Sequence, residues 1–185
     1  MKQEDRASET ERLLHLILAN IDDLIAVLDL NGRRLYNSPS YEAIFGGRDR
    51  LRGTDSFEEV HPDDRTMVRE TFRKTIETGA GRRIVYRLRG SDENVRFIES
   101  QGNVIRDADG KPEKVIVVGR DITDRIRAEE ERTRLFSAVE QAHEAILITD
   151  AAGAILYVNP AFERDTGYTR EEAKGSLAVH PVGNE

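Results

Sequence analysis

The hydrophobic and polar positions of this chain follow two different periods. Residues alternate between two faces over five stretches, and this two-residue period predicts β-strands. The predicted strands lie at the end of 21–29 and over 33–37, 83–89, 95–106 and 114–123. In the third of them, Ile84, Tyr86 and Leu88 are predicted to face inward. Apolar residues at helical spacing predict instead a longer helix that begins at Pro62 and ends at Thr78.

Residues that favour turns separate these elements and indicate how they are connected. Asn31-Gly32 predicts a two-residue hairpin turn between the first two strands, because both positions tolerate a positive φ. Short helices are predicted over 39–45 and over 56–60, and His61 is predicted to form a capping turn before the long helix. The resulting element order predicts an α+β fold, with a five-stranded antiparallel sheet and helices on one side.

The sequence matches itself after a shift of 121 residues. The aligned positions include Asp29 with Asp150, Gly32 with Gly153, Tyr36 with Tyr157 and Pro39 with Pro160. A period of this length indicates tandem domains, because the repeats of solenoid proteins span only about 20–50 residues. The second copy ends before the counterpart of the long helix and is predicted to be truncated. The predicted organisation is an N-terminal amphipathic helix over 1–20, a complete domain over 21–123, a linker helix over 124–141 and the start of a second domain over 142–185.

Apolar residues recur every seven positions in the linker helix, at Ala128, Leu135 and Ala142. The N-terminal helix has the same register, with Ala7 and Leu14. Apolar residues at heptad spacing, with charges elsewhere, favour a parallel two-stranded coiled coil. We therefore expect a homodimer held through the flanking helices. The alternative is a solvated amphipathic helix that packs on its own domain.

The composition excludes several classes of function. A formal net charge of −7 argues against nucleic acid as a partner, because phosphate contacts require clustered Lys and Arg. No apolar run approaches the roughly 20 residues that cross a bilayer, so no membrane span is expected. The absence of cysteine excludes disulfides and thiolate metal sites, and together with a charged start it predicts a cytoplasmic location. No cluster of catalytic or metal-binding residues is visible, so no enzyme activity is expected within these residues.

The element order and four short motifs together resemble the PAS family of sensory domains. The motifs are Asp29-Leu30-Asn31-Gly32, Tyr36-Asn37-Ser38-Pro39, His61-Pro62-Asp63-Asp64-Arg65 and Asp121-Ile122-Thr123. The resemblance covers 21–123 completely and 142–181 as a second, truncated copy. It implies a sensory region that passes a signal through a flanking helix to an effector outside these residues. The expected parent is a two-component histidine kinase, and the alternatives are a diguanylate cyclase or phosphodiesterase, a transcription regulator and, least supported, a stand-alone enzyme.

The resemblance also implies a cavity between the sheet and the helices, in which relatives hold haem, flavin, another chromophore or a metabolite. The candidate lining residues are Tyr41, Phe45, Phe57, Met67, Phe72, Tyr86 and Phe97. The lack of cysteine argues against a cysteine-linked flavin or chromophore. Val68 takes the position of the haem-ligating His of relatives, which argues against haem. A small metabolite, a non-covalent flavin and a filled core without a ligand remain open.

Signal transfer is expected where the last strand of the complete domain meets the linker helix, at Asp121, Ile122, Thr123 and Arg125. Thr123 supplies a short polar side chain where a helix N-cap is needed. Asp121 is expected to pair with Arg120 or Arg125, because the resemblance implies a link between strand end and helix start.

Overall fold

The computed structural model describes residues 9, 12–13, 16–18, 20–47, 51–92 and 94–178. These residues divide into two compact units, and the boundary between them follows Ile126. Ala7 and Leu14 of the predicted N-terminal seam lie outside the described residues, as does the end of the second copy, 179–185. None of the helices in the described ranges is long and apolar enough to span a membrane.

The first unit is built on one antiparallel sheet. Its five strands are β1 (Leu24–Leu28), β2 (Arg34–Asn37), β3 (Ile84–Arg89), β4 (Val95–Arg106) and β5 (Pro112–Asp121). Their spatial order is β2-β1-β5-β4-β3, and every neighbouring pair is antiparallel. The alternation read from the sequence is present in β1, where Leu24, Ala26 and Leu28 are buried and the two residues between them are half-buried.

Helices cover one face of this sheet and complete the core. A 3-10 turn (Pro39–Tyr41) leads into α1 (Glu42–Phe45), and α2 (Pro62–Thr78) follows after a loop. The buried cluster contains residues from strands and helices alike, including Leu28, Leu88, Ile98, Ile44 and Val68. This arrangement confirms the predicted α+β fold. His61 is the N-cap of α2, and its Nδ1 accepts a hydrogen bond from the backbone N–H of Asp63 at 3.4 Å.

The first hairpin differs from the predicted two-residue turn. The N–H of Asp29 donates to the carbonyl of Arg33 at 2.9 Å, so the loop contains three residues, 30–32. Asp29 Oδ1 also accepts from the N–H groups of Asn31 and Arg33, and Gly32 has φ +84°. A three-residue hairpin loop places its last residue in the left-handed region, which glycine adopts without strain. The two-residue prediction was therefore wrong, although it identified the correct glycine.

The predicted short helix over 56–60 was also wrong. This segment forms turns between two isolated bridges, one from Arg33 to Asp55 and one from Val60 to Leu88. The carboxylate of Asp55 accepts the N–H of Phe57 at 2.9 Å. The end of the segment pairs with β3 instead of continuing a helix, because the N–H of Arg89 donates to the carbonyl of Glu59 and the N–H of His61 donates to the carbonyl of Arg87, each at 2.8 Å.

The second unit repeats the first hairpin and the helix after it. After α3 (Thr123–Gln141) come β6 (Leu147–Thr149), β7 (Ile155–Val158), α4 (Pro160–Thr166) and α5 (Arg170–Ala173). Asp150 Oδ1 accepts the N–H groups of Ala152 and Ala154, as Asp29 does in the first copy. Because α3 ends at Gln141, Ala142 lies outside the helix, and the predicted heptad seam does not continue to that position.

Candidate functional site

A small cavity lies between α2 and the inner face of the sheet in the first unit. Its volume is about 70 Å³. Four of the predicted lining residues, Tyr41, Phe57, Phe72 and Tyr86, do line it. Pockets that enclose drug-sized ligands measure roughly 300–1,000 Å³. Neither haem nor flavin therefore fits this cavity without repacking of the surrounding side chains, and Val68, not a histidine, stands in its wall.

The other three predicted pocket residues lie elsewhere. Phe45 is buried in the core, where its ring stacks on Tyr41 at 5.8 Å between centroids. Met67 packs against the core and lines a neighbouring cleft instead of the cavity. Phe97 lies in β4 beside the start of α3, because its backbone N–H donates to Thr123 Oγ1. Aromatic type alone therefore did not separate cavity lining from ordinary core packing.

Sequence reasoning missed the most buried charge at the cavity, Arg34. Its side chain is only 3% exposed, and its Nη1 donates to Glu59 Oε2 at 2.8 Å. Arg34 Nε is buried without a hydrogen-bond partner among the described residues. The pairing register between β1 and β2 shifts after Val27, and this irregularity accompanies an inward-facing arginine that a regular alternation would not predict.

Burial governs the ionisation of the two cavity tyrosines. It raises the pKa of the Tyr41 phenol far above its ordinary value, and the neighbouring Arg34 opposes this increase only in part. Burial also raises the pKa of Tyr86, against a smaller lowering by a hydrogen bond with Ser100. Both phenols are consequently neutral at physiological pH, and the cavity wall presents hydroxyl groups instead of phenolate charges.

A second, larger cleft of about 220 Å³ lies beside the cavity, between the second half of α2 and the segment 80–82. Its lining consists of Met67, Glu70, Thr71, Lys74, Thr75, Ala80, Gly81 and Arg82. Thr71, Thr75 and Arg82 line the inner cavity as well. The two spaces are thus neighbours separated by these three side chains.

The predicted signal-transfer residues form a compact junction between β5 and α3. Ile122 and Thr123 are buried. The N–H of Ile122 donates to the carbonyl of Phe97 at 2.9 Å, and Thr123 Oγ1 accepts the N–H of the same residue at 2.9 Å. Asp121 Oδ1 accepts from both the backbone N–H and the hydroxyl of Thr123. The start of α3 is thereby tied to β4 as well as to the strand that it follows.

The ionic partner of Asp121 differs from the prediction. Its Oδ2 lies 3.6 Å from Nη1 of Arg96, a β4 residue. Arg120 instead binds Asp23 at 2.9 Å, and Arg125 lies 3.8 Å from a carboxylate oxygen of Glu99. The predicted pairings with Arg120 and Arg125 were therefore wrong. The antiparallel register brings Ile98 opposite Asp121, so Arg96 is close in space although it is distant in sequence.

Two family models, each described as PAS fold, match residues 34–119 and 133–183 of the chain. The chain belongs to the PAS family. The first match falls on the five-stranded unit and the second on the repeated unit. The cavity consequently lies within a PAS sensory domain, which is a signalling fold and not a catalytic one, and the junction follows directly after the matched residues.

Two of the similar curated proteins have names that indicate different activities. The sensor protein FixL from Bradyrhizobium diazoefficiens is 27% identical over 154 residues, which cover 80% of this chain and 30% of the relative. The probable diguanylate cyclase DgcE from Escherichia coli is 27% identical over 123 residues, which cover 64% of this chain and 11% of the relative. The PAS chain thus spans less than a third of either relative.

Solved structures agree with the fold. A PAS domain from Colwellia psychrerythraea has a TM-score of 0.57 and 20% identity, and the match covers 62% of this chain and 98% of that one. A sensory box histidine kinase/response regulator from Burkholderia thailandensis has a TM-score of 0.53 and 24% identity, over 70% of this chain and 98% of that one. At such identities the likeness concerns the fold.

Proposed function

We propose that this PAS region is the input segment of a two-component sensor histidine kinase, and that its signal leaves through α3. The similarity to FixL supports the kinase assignment, because it extends over 80% of the chain. The similarity to the probable cyclase covers less of the chain, 64%. The proposed input is a small molecule received by the cavity of the first unit, with Tyr41, Phe57, Phe72 and Tyr86 in its wall.

The observation that carries the output part of the proposal is the anchored start of α3. Thr123 is buried and bonded to Asp121 and to the N–H of Phe97. A shift of β4 against β5 therefore changes the position of the first helical residue directly. A first helical residue exposed to solvent would follow such a shift only weakly, because water would replace its hydrogen bonds as it moved.

The test is Asp121→Ala in the full-length protein. Removing the carboxylate frees the Thr123 hydroxyl and leaves Arg96 paired only with Asp92 among the described residues, so the output should no longer follow the state of the input domain. The unfolding free energy should change by only about 1 kcal/mol, since the group is partly exposed. Asp124→Ala is the matched control, because this exposed carboxylate lies in the first turn of the same helix. Equal signalling by both variants would contradict the coupling role.

The nature of the output is tested separately. Full-length protein incubated with labelled ATP should acquire an acid-labile, base-stable phosphate, as phosphohistidine does. The alternative function, input to a diguanylate cyclase, is favoured by the similarity to DgcE. Conversion of GTP to a cyclic dinucleotide, without autophosphorylation, would replace the kinase assignment by that alternative.

We further propose that the chain works as a cytoplasmic homodimer held through its helices. Leu135 and Phe136 of α3 are 58% and 54% exposed, which leaves apolar surface available for a second helix. The cysteine-free composition supports a reducing compartment. Leu135→Glu should shift the protein towards the monomer in light-scattering measurements, whereas Arg134→Glu, at the neighbouring exposed position, should not.

A further inference from the structure

We infer that the cleft and the inner cavity form one binding site for a small amphipathic anion. In this site the anionic head group, a carboxylate or a phosphate monoester, lies between Lys74 and Arg82 in the cleft. A short apolar chain passes Thr71 and Thr75 and enters the cavity. The inference rests on the proposed sensory role of the cavity and adds the class of ligand and the route of entry.

The first support is that the two spaces share part of their walls. Thr71, Thr75 and Arg82 line both the cleft of about 220 Å³ and the cavity of about 70 Å³. The cavity alone accepts only a small group, whereas the two spaces together accept a head group and a short chain. We call the part of the wall that the two spaces share, formed by Thr71, Thr75 and Arg82, the neck. One side of the neck has a fixed shape, because Thr75 is buried and its hydroxyl donates to the carbonyl of Thr71 at 2.8 Å.

The second support is the unbalanced charge of the cleft. Lys74 and Arg82 line it, and within the described ranges neither cation is within ion-pair distance of a carboxylate. Glu70 also lines the cleft, which leaves an excess of one positive charge there. An anion that binds between the two cations gains charge-assisted hydrogen bonds, which are stronger than neutral ones.

The inner cavity favours the apolar chain of such a ligand. The cavity wall includes the apolar side chains of Phe57, Val68, Phe72 and Ile84. Its one deeply buried cation, Arg34, is paired with Glu59 at 2.8 Å. The unpaired positive charge of the site therefore belongs to Lys74 in the cleft and to Arg82 at the boundary of the two spaces. Burying the apolar chain of the ligand in the cavity stabilises the complex by about 25 cal/mol per Å² of apolar surface removed from water. A charged head group placed there would lose its hydration.

The floor of the cleft is rigid where the head group would lie. The N–H of Gly81 donates to the carbonyl of Gly102 at 2.8 Å, and the Gly81 carbonyl accepts from Gln101 Nε2 at 3.1 Å. A Cβ atom at Gly81 would lie 2.4 Å from Thr75 Oγ1. The backbone therefore approaches α2 as closely as a glycine permits, and Arg82 is held within the neck.

The test is a titration of the full chain with hexanoate, hexyl phosphate and hexanol, followed by the amide NMR signals of Gly81, Val68 and Val117. Both anions should shift these signals, with affinities about tenfold higher than that of hexanol, as expected for one or two charge-assisted contacts. A difference between the two anions would identify the preferred head group. Val68 and Val117 line the inner cavity, so their signals report whether the chain enters it.

Substitutions test the charged cleft and the entry to the cavity separately. The double substitution Lys74→Gln with Arg82→Gln should lower hexanoate affinity to that of hexanol, whereas Glu70→Gln should raise it several-fold. Arg73→Gln is the matched control, since it removes one cation from an exposed position of the same helix that does not line the cleft. Thr71→Leu should block entry and abolish the shifts at Val117 while leaving those at Gly81.

The outcomes are distinguishable from those of the coupling experiment. Binding of hexanol as tight as that of hexanoate, or an unchanged affinity in the Lys74/Arg82 double variant, would overturn the assignment of an anion. Absence of binding by all three probes would overturn it as well. Neither result depends on whether Asp121→Ala uncouples the output, because binding is measured here without any effector activity.

Discussion

The substitution Gly32→Ala offers the sharpest test of how the first hairpin supports the cavity. Gly32 has φ +84°, and a Cβ atom there would lie 2.3 Å from Cε2 of Phe57. Displacement of that ring disturbs two contacts, because Phe72 meets it edge-on at 5.4 Å and the Arg69 guanidinium lies 4.3 Å from its centroid. Gly110 provides the matched control, since it has φ +81° in an equivalent turn but no atom within 4 Å of the position that a Cβ atom would take.

Both substitutions place alanine in the left-handed region, at a cost of about 1–2 kcal/mol, partly offset by about 0.4–1 kcal/mol of lost freedom in the unfolded chain. Gly32→Ala must in addition displace Phe57, and overpacking of this kind costs about 1–3 kcal/mol. We therefore expect the unfolding free energy of the first unit to fall by about 1–3 kcal/mol more in Gly32→Ala than in Gly110→Ala. This difference corresponds to a midpoint at least about 4 °C lower for a unit of this size.

The assay is native-state hydrogen exchange at the core amides of Ile98 and Val115 in the full chain, because these report global opening of the first unit. Urea unfolding followed by circular dichroism gives an independent value. In the double variant Gly32→Ala with Phe57→Leu, the smaller side chain should recover part of the loss, which appears as a coupling energy between the two positions. Equal losses in the two glycine variants would show that Phe57 moves freely and would refute the reasoning.

Three further outcomes are expected. Purified protein should show no Soret band and no flavin absorbance, because the cavity of about 70 Å³ is too small for either group; a stoichiometric chromophore would contradict this. Amides of β6 (Leu147–Thr149) should exchange faster than those of the central strand β5, since β6 has one paired edge and two exposed residues; equal protection would indicate a covering partner. Hydrogen bonds from Arg87 hold the pKa of Asp64 below its ordinary value, so this pair stabilises the fold above about pH 4 and the contribution is lost as pH falls through the lowered pKa. Asp64→Asn should therefore destabilise the protein at neutral pH and much less at about pH 3 in urea unfolding.

The elements of the fold were largely predictable because their signals are local. Alternating residues identified β1 and β3, and the Pro62-Asp63-Asp64 start identified the first turn of α2. The failure at 56–60 has a cause that is not local. Residues 56–60 carry apolar residues at a spacing that suits a helical turn, but Glu59 and Val60 pair with the end of β3 instead. Sequence spacing does not reveal this pairing.

The site was predictable only where it coincides with the apolar core. Tyr41 and Phe57 are aromatic residues on elements that must face the sheet, so their place in the cavity wall followed from periodicity. Arg34 was missed because its burial depends on a shift in strand register and on Glu59, which lies 25 residues away. The Arg96 contact of Asp121 likewise arises from strand pairing, which no local pattern specifies.

If the proposed coupling holds, the anchored start of α3 makes this helix a lever. Its 19 residues span about 28 Å at roughly 1.5 Å per residue, and Thr123 at its first position is bonded to β4. A displacement of about 0.5 Å across one strand spacing of roughly 4.8 Å tilts the axis by about 0.1 radian. The far end then moves by about 3 Å, which is more than half the roughly 5.4 Å pitch of an α-helix. Under the proposed coupling, the length of the helix would thus turn a sub-ångström change at Thr123 into a displacement of several ångströms at the far end of α3.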